Sequence, residues 1–450
     1  MSNSRLAHFS AGRVILFALF CTILIGACLL ALPIARHVPM AWIDLLFTAT
    51  SATCVTGLFT VPIAQFTFFG HCVILALIQI GGLGIITLTL FLLSLFLNLG
   101  LATQLMAGKL LELESWKNTK KLLVFIIKIT FIAEAIGALS LFSVFVQTFP
   151  VGKAAFLAIF HAVSFFCSAG ITLFDNSLYL YANNYIVILT ATLLMLTGGI
   201  GFITLFEIGD YIAHVKDKKK FPHFSLQSKI ILSGALIGIL LTAALVYLLE
   251  RNNAFASLTL TGSILTSFFQ AVSFRSTGLL IIPLGGLQLA TLFLIMIVSF
   301  IGSAPGSTGS GIRTTTMAIY LAVVKAAIEG HTGINIGRRR IAKDQVNKAI
   351  AIISLSVFWV IITTFCLLIF IPNWQFLDVF FESVSAFTNL GLSTGITPYL
   401  PFIGKILIMC SMIIGRIGSL TLILALRKIA LRKEASHNEL IYPEERIMLN

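Results

Sequence analysis

The sequence predicts an all-α integral membrane fold of eight transmembrane helices and four shorter helices that enter the bilayer only half-way. It arranges them as four like repeats with pseudo-fourfold symmetry around one axis. Three observations lead there. The chain of 450 residues is 58% hydrophobic and only 10% charged, too little charge for a water-facing surface. Apolar runs of 18 residues or more recur along its length, such as Val14 to Pro33, Leu122 to Val146 and Ile230 to Leu249. Each is long enough to cross a hydrocarbon core of about 30 Å as a helix. Four short segments also resemble one another and sit between such runs.

The segments are FTATSATCVTG (47–57), FHAVSFFCSAG (160–170), FQAVSFRSTG (269–278) and FESVSAFTNLG (381–391). Each opens on Phe, carries Ser four residues later and closes on Gly. The closing glycines lie 113, 108 and 113 residues apart, a near-constant period that marks an internal repeat. A helix of about ten residues is about 15 Å long and cannot cross. Each segment therefore reads as a half-crossing helix that turns at Gly and returns extended. Repeats of span, half-helix, return and span all share one orientation, which places them around an axis along the membrane normal. The repeats are assigned to 1–108, 109–215, 216–335 and 336–450. The spans are expected at 14–35, 71–97, 122–146, 185–209, 230–249, 287–328 (broken), 349–371 and 402–426.

Charge sets the topology. The net charge of +13 is concentrated in the stretches 109–121, 216–229, 338–348 and 427–433, whereas the connections between them hold only scattered basic residues. That asymmetry places the basic stretches and both termini in the cytoplasm, and it needs no nucleic acid to explain it. Anionic membrane lipid adds to its attraction. The first apolar run reads as an uncleaved span rather than a signal peptide. Seven cysteines, an odd count without paired spacing, argue against a disulfide framework or a zinc site.

Irregular backbone at membrane depth is tolerable only inside protein or against a watery cavity. Four such stretches around one axis would offer a ring of peptide carbonyls to a dehydrated cation, the chemistry of a potassium filter. The short helices would also aim their partly negative C-terminal ends at the centre. The candidate ion-binding residues are Val55, Thr56, Gly57; Ser168, Ala169, Gly170; Ser276, Thr277, Gly278; and Thr388, Asn389, Leu390, Gly391. The break in the sixth span, GSAPGSTGSG (302–311), cannot stay helical. It reads as an intramembrane gate built by Gly302, Ser303, Gly306, Ser307, Thr308, Gly309, Ser310 and Gly311, with a surface loop as the alternative. Arg416 lies where an arginine costs about 2.5–3.5 kcal/mol to insert, so it should face protein or water. It is expected to bond this loop. Arg275 and Glu382 are expected to pair across neighbouring repeats and stiffen the filter, or else to bond local backbone. Glu134, Glu207 and Asp210 read as structural.

No metal-ligand or triad pattern links the eight scattered histidines, so a membrane enzyme is disfavoured. The competing transport reading is an alternating-access cation carrier, a K⁺/Na⁺ or H⁺ symporter. No glycine-rich nucleotide-binding motif occurs, so nucleotide sensing would have to come from another chain.

The segments TATSATCVTGL (48–58), LIQIGGLGIITL (77–88), GSAPGSTGSGIRTTT (302–316), FESVSAFTNLGLSTGIT (381–397), IIGRIGSLTLILAL (413–426) and YPEERIML (442–449) closely resemble the Trk/Ktr/HKT superfamily of potassium transporters. The eight-span count resembles the bacterial Ktr-type membrane subunit, since Trk-type subunits carry two extra N-terminal spans. The resemblance implies a non-enzymatic, multi-pass subunit of the bacterial plasma membrane. It also implies a homodimer with one pore per protomer, seated on a cytosolic ring of nucleotide-binding regulatory subunits. By motif match Gly57, Gly170, Gly278 and Gly391 are filter glycines, 302–311 is the gate loop and Arg416 its basic partner. K⁺ at the filter is the transported ion, and no cofactor is bound by this chain. Relatives often carry Asn where Ser168 stands, which leaves strictness against Na⁺, and any Na⁺ coupling, open.

Overall fold

The computed structural model describes residues 11–84, 116–174, 177–214, 224–331 and 333–418. These residues form α1 (Ala11–Ala31), α2 (Trp42–Cys54), α3 (Phe68–Leu83), α4 (Trp116–Phe145), α5 (Val151–Phe166), α6 (Tyr185–Gly199) and α7 (Phe202–His214). They continue as α8 (Leu226–Glu250), α9 (Leu260–Ser273), α10 (Leu289–Phe300), α11 (Thr314–Ile328), α12 (Lys343–Phe370), α13 (Phe376–Thr388) and α14 (Phe402–Ile417). The two paired strands among the described residues form a short ribbon, β1 (Asn335–Ile336) against β2 (Arg339–Arg340), in the basic stretch between α11 and α12.

Helices α1, α4, α8 and α12 follow the expected odd-numbered spans. Lys121–Phe145, Leu226–Glu250 and Lys343–Phe370 are each long and apolar enough to cross a bilayer. Their outward residues are apolar too, for example Leu236, Ile237, Leu240 and Leu241 on α8. A helix that exposes such residues suits a lipid environment.

The even-numbered spans differ from expectation. The expected span 185–209 is not continuous: α6 and α7 are bent by 100° across Ile200 and Gly201. The sixth breaks where expected, between α10 and α11. The second stops at Leu83 and the eighth at Ile417, and the remainder of both lies outside the described residues. The ends of α3, α6 and α14 share one chemistry. Gly84, Gly201 and Gly418 take φ of 81°, 93° and 93°, a region that favours glycine and ends a helix. Three residues before each, Gly81, Gly198 and Gly415 lie so close to the carbonyl oxygens of Thr53, Phe166 and Phe387 that a Cβ would collide with them. Each of these helices is thereby pressed against the C-terminal end of the short helix in its own repeat.

The short helices α2, α5, α9 and α13 contain 13, 16, 14 and 13 residues. They begin well before the repeated Phe, because the preceding residues are also helix-compatible and apolar. At 1.5 Å per residue they still fall short of a crossing, at about 20–24 Å. The repeated phenylalanines Phe47, Phe160, Phe269 and Phe381 are at most 1% exposed and anchor the hydrophobic core around the loops that follow. Gly81→Val is expected to destabilise the protein by about 1–3 kcal/mol through overpacking against Thr53. Denaturation in mixed micelles checks this, and unchanged stability would contradict the close packing.

Candidate functional site

Three of the four short helices end alike. Val55, Ser168 and Asn389, each two residues before the closing glycine, have left-handed φ of 58°, 59° and 55°. The next N–H reaches back to the serine of the motif: Thr56 N to Ser51 O at 2.8 Å, Ala169 N to Ser164 O at 2.8 Å, Leu390 N to Ser385 O at 2.9 Å. This is the Schellman arrangement, which satisfies the last carbonyls of a helix. The third segment is one residue shorter and ends differently: Thr277 N and Gly278 N both bond Ser273 O, at 2.9 and 3.0 Å. The motif serines have a second use. Ser51 Oγ accepts from Gly57 N at 3.1 Å, Ser164 Oγ accepts from Ile171 N at 3.1 Å, and Ser273 Oγ donates to Leu279 O at 2.7 Å. Ser385 Oγ is buried with no hydrogen-bond partner.

The four closing glycines are neighbours in a cycle. A Cβ on Gly57 would stand 2.7 Å from Ala169 O, and one on Gly170 would collide with Thr277 O. One on Gly278 would meet Leu390 O, and one on Gly391 would meet Thr56 O, which closes the ring. Four peptide carbonyls and four glycines from four repeats thus meet at one level where no side chain fits. Val55, Ser168, Ser276 and Asn389 each lie one residue before those carbonyls. A cavity of about 380 Å³ adjoins the residues after the glycines, lined by Gly57, Thr60, Gly170, Thr172, Ser177 and Pro398 among others.

The returning strands are held by polar residues that sequence reasoning missed, apart from Glu382. The residue after each motif Phe is polar: Thr48, His161, Gln270 and Glu382, all buried. His161 Nδ1 donates to Leu157 O at 2.7 Å, which leaves Nε2 to accept from Leu173 N at 3.3 Å. Gln270, with its amide turned to satisfy both partners, donates to Leu279 O at 3.3 Å and accepts from Ile281 N at 3.1 Å. Glu382 accepts from the Thr397 hydroxyl. In the first repeat Asp44, one turn before Thr48, accepts from Thr60 Oγ1 at 2.7 Å and from Lys405 Nζ at 2.6 Å. The expected pairing of Arg275 with Glu382 is not formed. Arg275 turns to the Gly302 carbonyl at 3.4 Å, and Glu382 stays with its own returning strand. In the last three repeats the signal for these holds was the polar residue after the motif Phe; in the first, Thr48 bonds Asp44 O within its own helix and Asp44, before the motif, takes the role.

The loop 302–311 lies against the near ends of the short helices. Ser303, Thr308 and Ser310 are buried, which excludes the surface-loop alternative. Thr308 Oγ1 donates to Phe166 O at 3.1 Å and lies 3.2 Å from Ser168 Oγ. Thr308 N and Ala304 N bond the Gly198 and Gly199 carbonyls at 3.1 and 3.2 Å, and Phe202 N bonds Gly306 O at 2.9 Å. The loop therefore satisfies the peptide groups freed by the α6–α7 bend. Three guanidinium groups grip it. Arg416 donates to Thr308 O, to Ser310 Oγ at 3.2 Å and to Gly81 O. Arg313 donates to Gly309 O at 2.6 Å, and Arg275 reaches Gly302 O. Arg313 went unassigned from sequence, although it is the first charge after the break. Among the described residues no carboxylate stands within ion-pair distance of these three.

Residues 22–437 match the family model TrkH, described as a cation transport protein. The chain belongs to the TrkH family. It is 37% identical over 425 residues, 94% of each chain, to Ktr system potassium uptake protein B of Bacillus subtilis (strain 168). It is 33% identical over 451 residues, 98% of each chain, to the potassium/sodium uptake protein NtpJ of Enterococcus hirae. The fold is similar to the crystal structure of the potassium transporter TrkH from Vibrio parahaemolyticus, with a TM-score of 0.72 at 19% identity over 93% of this chain and 86% of that one.

Membership makes this TrkH-family chain a membrane protein of cation transport, not an enzyme. Its ring and loop depend on buried hydrogen bonds that water cannot replace. His161→Phe keeps a ring against Phe174 but removes the acceptor for Leu173 N. It is expected to cost about 1–3 kcal/mol, the price of an unsatisfied buried N–H. The same micelle denaturation measures it, and a neutral effect would show that Nε2 does not hold the returning strand.

Proposed function

We propose that this chain is the pore-forming subunit of a bacterial potassium uptake system, with the ring of four loops as its ion filter and the loop 302–311 as its gate. The observation that carries this is the closed cycle of glycine–carbonyl contacts through Gly57, Gly170, Gly278 and Gly391. Peptide oxygens converging where no side chain fits are suited to replace the water shell of a large monovalent cation. The C-terminal ends of four short helices add negative potential at the same level. Potassium is favoured by the names of the relatives, and NtpJ, named for potassium and sodium, keeps Na⁺ as a second candidate cargo.

The gate reading rests on charge and packing. A cation leaving the ring toward the loop meets three arginines that have no carboxylate partner among the described residues. Two unit charges 4 Å apart repel by about 4 kcal/mol at an effective dielectric of 20, enough to slow flux while the loop stays in place. The loop is held by hydrogen bonds rather than by apolar burial, so it can be released without unpacking the core. The four repeats of the pore are 1–108, 109–215, 216–335 and 336–450, with both termini and the basic stretches on the cytoplasmic side of the plasma membrane. Partners in this reading are a second copy of the chain and a cytosolic nucleotide-binding ring. The word system in the name of the Bacillus subtilis relative supports more than one component.

Expression in a bacterium that lacks its own potassium uptake is expected to restore growth at low K⁺, and Gly278→Ser, which drives a side chain into Leu390 O, is expected to abolish the rescue. Growth that persists with Gly278→Ser would contradict the filter. Arg416→Gln, which removes one charge, is expected to raise K⁺ flux into proteoliposomes, by about tenfold for each 1.4 kcal/mol by which the repulsion falls. Unchanged flux there, and again on shortening the loop, would remove the gate.

A further inference from the structure

The four loops meet at four seams. Successive repeats are joined by connecting segments, whereas the first and fourth are not consecutive, and among the described residues side chains bridge that seam. They do so at three levels. Lys405 of α14 pairs with Asp44 of α2 at 2.6 Å, both side chains only 14% and 13% exposed. Arg416 of α14 holds the carbonyl of Gly81 in α3. Between them, at the ring itself, stands Asn389.

The Asn389 side chain points behind the ring. Its amide nitrogen lies 3.0 Å from Cys54 O, 2.8 Å from Thr56 Oγ1 and 3.2 Å from Met412 O. Cys54 and Thr56 flank Val55, whose φ of 58° and ψ of 50° are left-handed. A β-branched residue there is an outlier that persists only where its surroundings over-determine it. The Asn389 amide grips the peptide on one side of Val55 and the side chain on the other, and anchors both to α14 through Met412. Asn389 is itself left-handed, at φ 55° and ψ 41°, which an asparagine tolerates. At the matching place the other loops carry Val55, Ser168 and Ser276, none with an amide.

We infer that Asn389 is a positioning residue for ion discrimination, whose amide holds the strained Val55 turn and so sets the spacing of the Thr56 and Leu390 carbonyls across the seam between the first and fourth repeats. This rests on the reading of the ring as an ion filter. Asn389 touches no ion in this role: it acts through Thr56 and Val55. The Thr56 carbonyl abuts Gly391, so a seam that relaxes widens the ring at that point.

Asn389→Gly separates the two properties of the residue, since glycine keeps the left-handed turn and deletes the amide. The measurement is the ratio of K⁺ to Na⁺ flux into proteoliposomes, normalised to inserted protein, for the wild type, N389G, Thr56→Val and Gly57→Ala. N389G is expected to lower the ratio by about fivefold, the worth of one net hydrogen bond, and by more than it lowers K⁺ flux itself. Thr56→Val, which removes one acceptor, is expected to lower it less and to add little on top of N389G. If N389G does not accumulate, Asn389→Asp keeps the shape while removing both donors and carries the same expectation. A wild-type ratio in N389G or N389D, with the ratio lost in Gly57→Ala, would overturn the role of Asn389 and leave the filter standing. A wild-type ratio in Gly57→Ala would overturn the filter and this inference with it.

Discussion

A peptide group that leaves a helix at membrane depth must find a protein partner, because no water is there to serve as one, and each group left bare costs several kcal/mol. This chain leaves its helices repeatedly. Four short helices end inside the protein, and α3, α6 and α14 end at glycines, so the freed N–H and C=O groups have to be taken up by design of the loops. The Schellman ends of α2, α5 and α13, the motif serines Ser51, Ser164 and Ser273, the side chains of His161 and Gln270 and the three arginines on 302–311 are all answers to that one demand.

The same demand couples the loop to the ring. Peptide groups freed by the α6–α7 bend are satisfied by the loop after α10, and Thr308 of that loop bonds the end of α5 beside Ser168. The Gly198 and Gly199 carbonyls and the Arg416 guanidinium thus share the loop as their partner, which ties the α6–α7 bend, α14 and the loop into one hydrogen-bonded network. The repeats are alike in layout and unlike in detail: the third lacks the left-handed turn, because its segment is one residue shorter, and only the fourth places an amide behind its neighbour.

Much of this was legible in the amino-acid sequence. The Phe–Ser–Gly pattern located the ends of all four short helices, and the run of glycine and serine at 302–311 located the broken span. The bend at Ile200 and Gly201 was not seen, because its residues are apolar and small and leave hydropathy uninterrupted. A signal was nonetheless present: GGLGIITL (81–88), GGIGFITL (198–205) and GRIGSLTL (415–422) repeat one glycine spacing, and the glycine spaced three residues on is the one with positive φ. The partner of a buried charge was less legible. Arg275 and Glu382 have opposite signs and lie in neighbouring repeats, but a carbonyl and a hydroxyl close to each satisfied them first. Arg313 was passed over because it stands at the start of α11, where a charge reads as a helix-end residue.

The central claim is that peptide oxygens of four loops, not acidic side chains, hold the ion. Crystals of the protein grown in rubidium or thallium salts would test it through the anomalous scattering of the ion. The account predicts a peak within the ring, bounded by the carbonyls of Thr56, Ala169, Thr277 and Leu390. A ring without a peak, with the ion instead beside a carboxylate such as Glu134 or Glu382, would contradict it.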